Sequence, residues 1–354
     1  MWTTKLVLRH SDGTRVIDGI KIRRGIFQGD TLSPLLFIIA INPVSFLLER
    51  SQIGYKIDDV KFSHILYMDD LKTFAGCKKD AESMANIVFD FTTSIGMKFG
   101  LDKCKVLSLV RGKIKKCGSI TLDEHSVIDE MENTDVYKYL GVLESDNIKH
   151  NEMKTITLEK FKKKLKTILK TDLNAKNIMI AINEFVNPVL TYTYGIVNWT
   201  EQDIKSADIL VRKMLHMNRM FEIRSDVDRL YIPRNNGGRG LVSLWDSFKT
   251  TNARLAHFLT NSPSQIITKC SELDKTGQFS INKKAYKFHE QTPIELPKNF
   301  HDNSLLKQAK IVAEKTKNAL QKQRYEACLN MPQHRVYFKL LTNPKYLEYG
   351  VCHG

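Results

Sequence analysis

The sharpest chemistry in this sequence sits in four consecutive residues, Tyr67-Met68-Asp69-Asp70. Two adjacent carboxylates at the tip of an apolar hairpin repel each other, and desolvation disfavours both charges. A divalent cation removes that cost. Oxygen donors suit Mg²⁺, which keeps several of its waters and binds substrate phosphates as well. In two-metal phosphoryl transfer one ion activates the attacking hydroxyl and the other holds the leaving group. Successive strand residues point to opposite faces, so Asp69 is expected as the primary ligand and Asp70 as the secondary one. Taken alone, the pair reads first as a solvent-exposed turn with two acids.

A second constellation lies upstream, Arg24-Gly25-Ile26-Phe27-Gln28-Gly29-Asp30-Thr31-Leu32-Ser33-Pro34. A glycine-bracketed turn precedes a helix, and Gly29 lets a nucleotide or template base approach the backbone closely. Gln28 carries an amide that can bond a base or sugar edge. The plainer reading is a turn and helix cap with no ligand.

These residues need elements to hold them. TTKLVLR (3–9) and RVIDGIKI (15–22) read as a hairpin about Ser11-Asp12-Gly13. Ser33 followed by Pro34 predicts a helix start with Ser33 as the capping hydroxyl, and Pro43 should kink or end that helix. Residues 60–75 read as two strands around a tight acidic turn. Residues 80–96 form a helix with Ala81, Met84, Ile87, Val88 and Phe91 on one face. A strand-rich stretch then runs to about Val142.

Beyond Asp146 the pattern turns helical. Residues 151–172 place Ile156, Leu158, Phe161, Leu165 and Ile168 on an apolar face, with eight lysines between Lys149 and Lys170. Residues 175–195 are apolar nearly all round and predict a buried helix. Residues 201–217 repeat the helical pattern with Ile204, Ala207, Val211, Met214 and Leu215. Asn235-Asn236-Gly237-Gly238 is a loop, and 243–260 is helical. Residues 261–303 read as a loop or linker, and 304–328 as a basic amphipathic helix.

Composition narrows the function classes. The 354 residues carry 54 Lys plus Arg against 39 Asp plus Glu, a net charge of +15. Such an excess favours a polyanionic partner through counterion release. No run of about eighteen uncharged apolar residues occurs, so no membrane span is expected. The N-terminus lacks a signal-peptide layout, so secretion is not expected. Cys77, Cys104, Cys117, Cys270, Cys328 and Cys352 form no CxxC pair, which argues against a disulfide framework or a structural zinc site and for a reducing compartment, nucleus or cytosol.

RGIFQGDTLSPLLF followed by HILYMDDLKTFA resembles reverse transcriptases, above all those of non-LTR (LINE-type) retrotransposons of the site-specific class with a single C-terminal endonuclease. Further segments follow in that family's order: KFGLDKCKVLSL resembles its motif D, VYKYLGV its primer grip, and LYIPRNNGGRGLVSL (230–244) a segment beyond the thumb. The resemblance covers residues 20–244.

The resemblance implies a set of roles. Asp69 and Asp70 match the catalytic, metal-binding carboxylates, and Tyr67 the tyrosine near the primer terminus. Gln28, Gly29 and Asp30 match the turn beside the nucleotide and templating base. Lys103 matches a candidate general acid for pyrophosphate, with plain surface charge as its alternative. Tyr139, Leu140 and Gly141 match the primer grip. The implied cofactor is Mg²⁺, with Mn²⁺ as an alternative, and the implied partners are an RNA template, a DNA primer and deoxynucleoside triphosphates.

The family's motif A contributes a third carboxylate well upstream of Gln28. Only Asp12 and Asp18 precede Gln28, and neither lies in that motif's pattern. The expectation is an N-terminally truncated enzyme, inactive or nearly so alone, whose fingers and half-palm are absent. The expected fold is α+β: a partial polymerase palm over 1–147, a helical thumb over 148–228 and a post-thumb linker region over 229–354. The lysines of 149–170 would lie along a hybrid backbone in that reading, although charge runs usually mark a solvated face. The competing readings are a non-enzymatic nucleic-acid-binding module and a non-functional element remnant.

Overall fold

The structure is a computed structural model that describes residues 2–11, 13–22, 25–26, 29–132, 134–222, 224–277 and 279–332. It is a mixed α and β fold in two compact units, Met1–Asp135 and Val136–Gly354.

The first unit opens with strand β1 (Trp2–His10) antiparallel to β2 (Gly13–Ile22), as the alternation predicted, with an irregular register between Thr4 and Leu6. Asp12 lies outside the described residues. Leu6, Val7, Leu8, Val16, Ile17 and Ile20 of this hairpin are all exposed.

Helix α1 (Ser33–Ile41) stops at Asn42 and α2 (Pro43–Arg50) restarts, the break that Pro43 foretold. The expected cap is corrected. Leu32 holds the N-cap position, and the buried Ser33 hydroxyl has no hydrogen-bond partner among the described residues. The turn is closed instead by Asp30, whose carboxylate accepts from the Leu32 amide at 3.1 Å while its carbonyl accepts from Ser33. Ser33–Arg50 is also the one stretch among the described residues long and apolar enough, by length and composition, to cross a membrane, with 22% of it buried.

Two hairpins follow: β3 (Tyr55–Ile57) with β4 (Val60–Phe62), then β5 (His64–Tyr67) with β6 (Asp70–Thr73). Helix α3 (Lys78–Ser94) buries Met84 and Val88, with Ile87 and Phe91 partly buried beside them, against Val44 and Leu48 of α2. Strands β7 (Lys105–Val106), β8 (Leu109–Val110), β9 (Lys113–Ile114), β10 (Ile120–Thr121) and β11 (Val127–Glu130) are short, and β10-β11-β7 form a three-stranded sheet. Glu130 ties this region by accepting from the amides of Cys117 and Gly118.

The second unit begins with the hairpin β12 (Tyr137–Tyr139) and β13 (Val142–Glu144). Helix α4 (His150–Leu169) buries Met153, Thr157, Phe161, Leu165 and Leu169, while Ile156 is exposed. The buried face is therefore rotated from the predicted one, because Met153 and Leu169 fill it and Ile156 does not. The stretch predicted as one helix buried all round is α5 (Ala175–Ala181), a wide π-turn over Ile182–Val186 and α6 (Asn187–Thr191). Its outer side leaves Ile180 and Phe185 exposed. Across the π-turn, Asn183 donates to the Gly240 carbonyl at 2.8 Å and accepts from the Val242 amide at 2.8 Å, and Asn187 donates to the Val242 carbonyl.

Helix α7 (Glu201–Met217) starts with a capping box between Thr200 and Asp203 and buries the predicted face. It is followed by α8 (Val227–Tyr231), a 3-10 turn at Arg234–Asn236 and α9 (Leu244–Asn261). The predicted linker 261–303 instead contains α10 (Gln265–Thr276) and α11 (Ile281–Gln291), and α12 (Leu305–Asn330) follows. Polar composition hid these helices because their burial is sparse, one residue each. One continuous core joins Val142, Phe161, Ile182, Trp199, Leu215 and Phe248.

Asp208 sits 6% exposed within that unit and caps α9. It accepts from the amides of Leu244 and Trp245 at 2.9 and 3.0 Å and from the Ser243 hydroxyl at 3.0 Å. Burial raises its carboxyl above the usual range, against the pull of those donors.

Candidate active site

Tyr67 and Asp70 face each other as the last pair of the β5–β6 ladder, and Met68-Asp69 make the two-residue turn. Met68 takes a left-handed φ of 55°, the geometry that matches a tight hairpin's twist. Tyr67, Asp69 and Asp70 are all exposed, and neither aspartate side chain has a hydrogen bond or ion pair among the described residues. The two carboxylates are therefore displayed to solvent, and the desolvation cost expected from the sequence does not arise.

The hairpin is anchored from beneath. Leu66 and Leu71, cross-strand partners, pack on the Val44–Leu48–Met84–Val88 core. His64 adds a polar link that sequence reading missed: its Nε2 lies 2.7 Å from the Ser45 hydroxyl of α2 and its Nδ1 2.9 Å from Ser63. Burial lowers its imidazole below the usual value, with Glu49 opposing. The sequence signal was faint, since Ser45 and His64 lie nineteen residues apart.

The other predicted residues are distributed as follows. Gly29 takes a φ of 96° with open space where a side chain would project, so the turn requires glycine there. Asp30 is exposed and closes the turn as described. Gln28 lies outside the described residues. Lys103 is exposed on a 3-10 turn, Leu101–Lys103.

Tyr139, Leu140 and Gly141 belong to the second unit, at the β12–β13 turn. Leu140 and Gly141 both have positive φ, 46° and 80°, as a two-residue primed turn demands. A leucine in that region is strained, and the Tyr192 hydroxyl holds it by donating to the Leu140 carbonyl at 2.7 Å. Nothing in the sequence links residues fifty-two positions apart.

Two carboxylates on one turn can hold a hydrated Mg²⁺, an ion that commonly takes one or two protein carboxylates with waters and phosphates completing its shell. Among the described residues, no group of three His, Cys, Asp or Glu side chains is placed to hold a metal ion. The donor set thus fits one hydrated ion rather than a closed protein cage.

Residues 2–143, which include the acidic hairpin tip, the glycine turn and the proline-started helix, match the reverse transcriptase (RNA-dependent DNA polymerase) family. The chain carries a reverse transcriptase domain. It is homologous to the retrovirus-related Pol polyproteins of R2 retrotransposable elements. That of the type-2 element R2DM of Drosophila melanogaster is 25% identical over 227 residues, 62% of this chain and 21% of that protein. That of a type-1 element R2 of Nasonia vitripennis is 24% identical over 228 residues, 63% of this chain and 22% of that protein. A third, from Popillia japonica, is 24% identical over 241 residues, 66% of this chain and 38% of that protein. The chain spans about a fifth of the length of the first two.

Proposed function

We propose that this chain is part of a retrotransposon reverse transcriptase, contributing the motif B turn, the catalytic hairpin and the primer grip to RNA-templated DNA synthesis. The observation that carries this reading is the exposed Asp69-Asp70 pair at a hairpin tip within residues that match the reverse transcriptase family. In that reaction a primer 3′-oxygen attacks the α-phosphorus of a deoxynucleoside triphosphate, a P–O bond forms, and pyrophosphate leaves. A divalent ion, Mg²⁺ or Mn²⁺, supplies charge neutralisation and a more acidic hydroxyl when bound.

Asp69 serves as the primary ligand and Asp70 as the secondary one. Tyr67 supports the primer terminus, and Gln28, Gly29 and Asp30 shape the surface under the incoming nucleotide. Lys103 delivers a proton to the departing pyrophosphate. Tyr139, Leu140 and Gly141 grip the primer, and the exposed lysines of α4 (Lys160, Lys162, Lys163, Lys166) contact backbone phosphates. The domain division follows as palm over 1–147, thumb over 148–228 and linker region over 229–354.

Asp69 and Asp70 together would hold one hydrated ion, so the chain alone should extend a primer no better than its Asp69→Ala, Asp70→Ala variant. Extension well above that control would refute the incomplete site. The polymerase role itself is tested by a chimera in which residues 24–142 replace the aligned segment of a longer R2 Pol polyprotein. Extension that survives the exchange and disappears with the double alanine is expected; a folded chimera without extension overturns the reading.

A further inference from the structure

The second unit carries a set of positive charges that the proposed chemistry leaves unused. Lys205 of α7, Lys249 of α9 and Lys284 of α11 converge on one aromatic cluster, in which Trp245 stacks on Phe248 at 5.7 Å and meets Phe288 edge-on at 5.4 Å. The Lys205 and Lys249 ammonium groups share the Trp245 ring, at 5.4 and 5.3 Å from its centroid. Lys249 also lies 5.8 Å from the Phe288 ring, and Lys284 lies 5.7 Å from that of Phe248. Ring faces attract ammonium groups, and lysine stems cover apolar surface, which explains why each cation sits where it does.

Those contacts do not balance the charge. Glu201 faces Lys205, Lys249 and Lys287, and it is bonded to Lys205 at 2.7 Å. Asp246, the other acid facing Lys249, is bound by Arg324 at 2.6 Å. Asp274 faces Lys284, but it already accepts from Ser280 and from the first amides of α11. Lys154 also faces Lys284 and is paired with Asp203 at 2.6 Å. Burial holds Lys249 and Lys284 below the usual lysine range, against the pull of Asp246 and Glu201 on the first and of Asp274 on the second.

We infer that this lysine and aromatic surface of α7, α9 and α11 binds the sugar-phosphate backbone of a nucleic acid strand. The choice of nucleic acid over another polyanion rests on the reverse transcriptase reading. Lysines are mobile point charges that meet phosphates without reading sequence.

The test is fluorescence anisotropy of the full chain with a labelled RNA–DNA hybrid across a salt series. Each lost phosphate contact flattens the slope of log K against log salt by about 0.9. Replacing Lys249, Lys284 and Lys287 together by Gln should flatten the slope by about 2–3 and weaken binding at least tenfold at low salt. The variant Lys287→Glu changes only an exposed side chain, so it keeps the test valid if the triple variant unfolds, and it should flatten the slope by about 1.

The comparison set replaces Lys310, Lys315 and Lys317 of α12 by Gln, the same charge removed from another exposed face. An equal loss in both sets means a general charge effect and overturns the inference. Unchanged binding in the patch variants, with α4 lysine variants still weakened, overturns it while leaving the polymerase reading intact. A chain that ignores the hybrid but binds polyglutamate through these lysines overturns both.

Discussion

Arg324 offers the most demanding test of how the second unit holds together. Its guanidinium reaches back from α12 to bond Asp246 through Nε at 2.6 Å and Nη2 at 3.0 Å, and Asp228 through Nη1. It also lies 4.7 Å from the centre of the Tyr231 ring. The Arg324→Met variant keeps most of the stem and removes the charge. Breaking a buried pair costs about 3–5 kcal/mol, because the abandoned carboxylates stay buried. Here the three side chains are 18–29% exposed, so solvent recovers part of that, and the lower end, about 3 kcal/mol, is the expected loss. An exposed pair would cost no more than about 1 kcal/mol.

For a unit of this size, roughly 2–4 °C of melting temperature follows each kcal/mol, so calorimetry at neutral pH should show a fall of roughly 6–12 °C in the transition of the second unit. Asp246→Asn in the Arg324→Met background should then cost less than Asp246→Asn alone, with a coupling of about 2 kcal/mol. A shift of under about 2 °C, or strict additivity of the two substitutions, would refute the claim that α12 is fastened by this network.

Other consequences follow from the same geometry. At Gly238 an added Cβ would run into the Ile232 carbonyl, a backbone atom that cannot step aside, so Gly238→Ala should cost at least about 3 kcal/mol in urea unfolding. Tyr192→Phe removes the bond to Leu140 and should cost about 1 kcal/mol, with faster amide exchange confined to the β12–β13 turn as its signature. Asp203 feels burial raising its carboxyl, but the bonds from Lys154 and Thr200 outweigh it and hold the group below its ordinary value of 3.8. Its folded value is thus below its unfolded one, so its contribution is present above pH 3.8 and lost as pH falls through the lower folded value. Asp203→Asn should destabilise at neutral pH by about 1 kcal/mol, discounted for solvent screening, and match wild type at the acid end of a pH-melt series.

Local patterns in the sequence were legible where one physical rule dominated. Alternation gave the β1–β2 hairpin, Pro43 gave the break between α1 and α2, and the 3.6-residue period gave α7 with its buried face. The candidate site was legible as motifs: the acidic pair does sit on a hairpin tip and Gly29 does need its positive φ. What supports those motifs was not legible. Ser45–His64 and Tyr192–Leu140 are side-chain meetings between distant segments, and no periodicity encodes them. The linker reading of 261–303 failed because α10 and α11 are short, mostly exposed helices fixed by caps such as Ser280 with Asp274. Pattern reading of α4 failed by one position, since its seam runs through Met153 and Thr157 rather than Ile156.

The π-turn at Ile182–Val186 has a genetic consequence. A π-turn holds one residue more than the α-helix it interrupts. Deleting a single codon there would regularise the helix, yet rotate everything before it by about 100° relative to α6. Asn183 would lose its register with Gly240 and Val242, and the buried side of α5, Ile178 and Met179, would swing outward. The reading frame of this segment is therefore intolerant of an in-frame loss that an exposed loop would absorb. Among drifting copies of such a sequence, this five-residue stretch should keep its length while its exposed residues, Phe185 among them, vary freely.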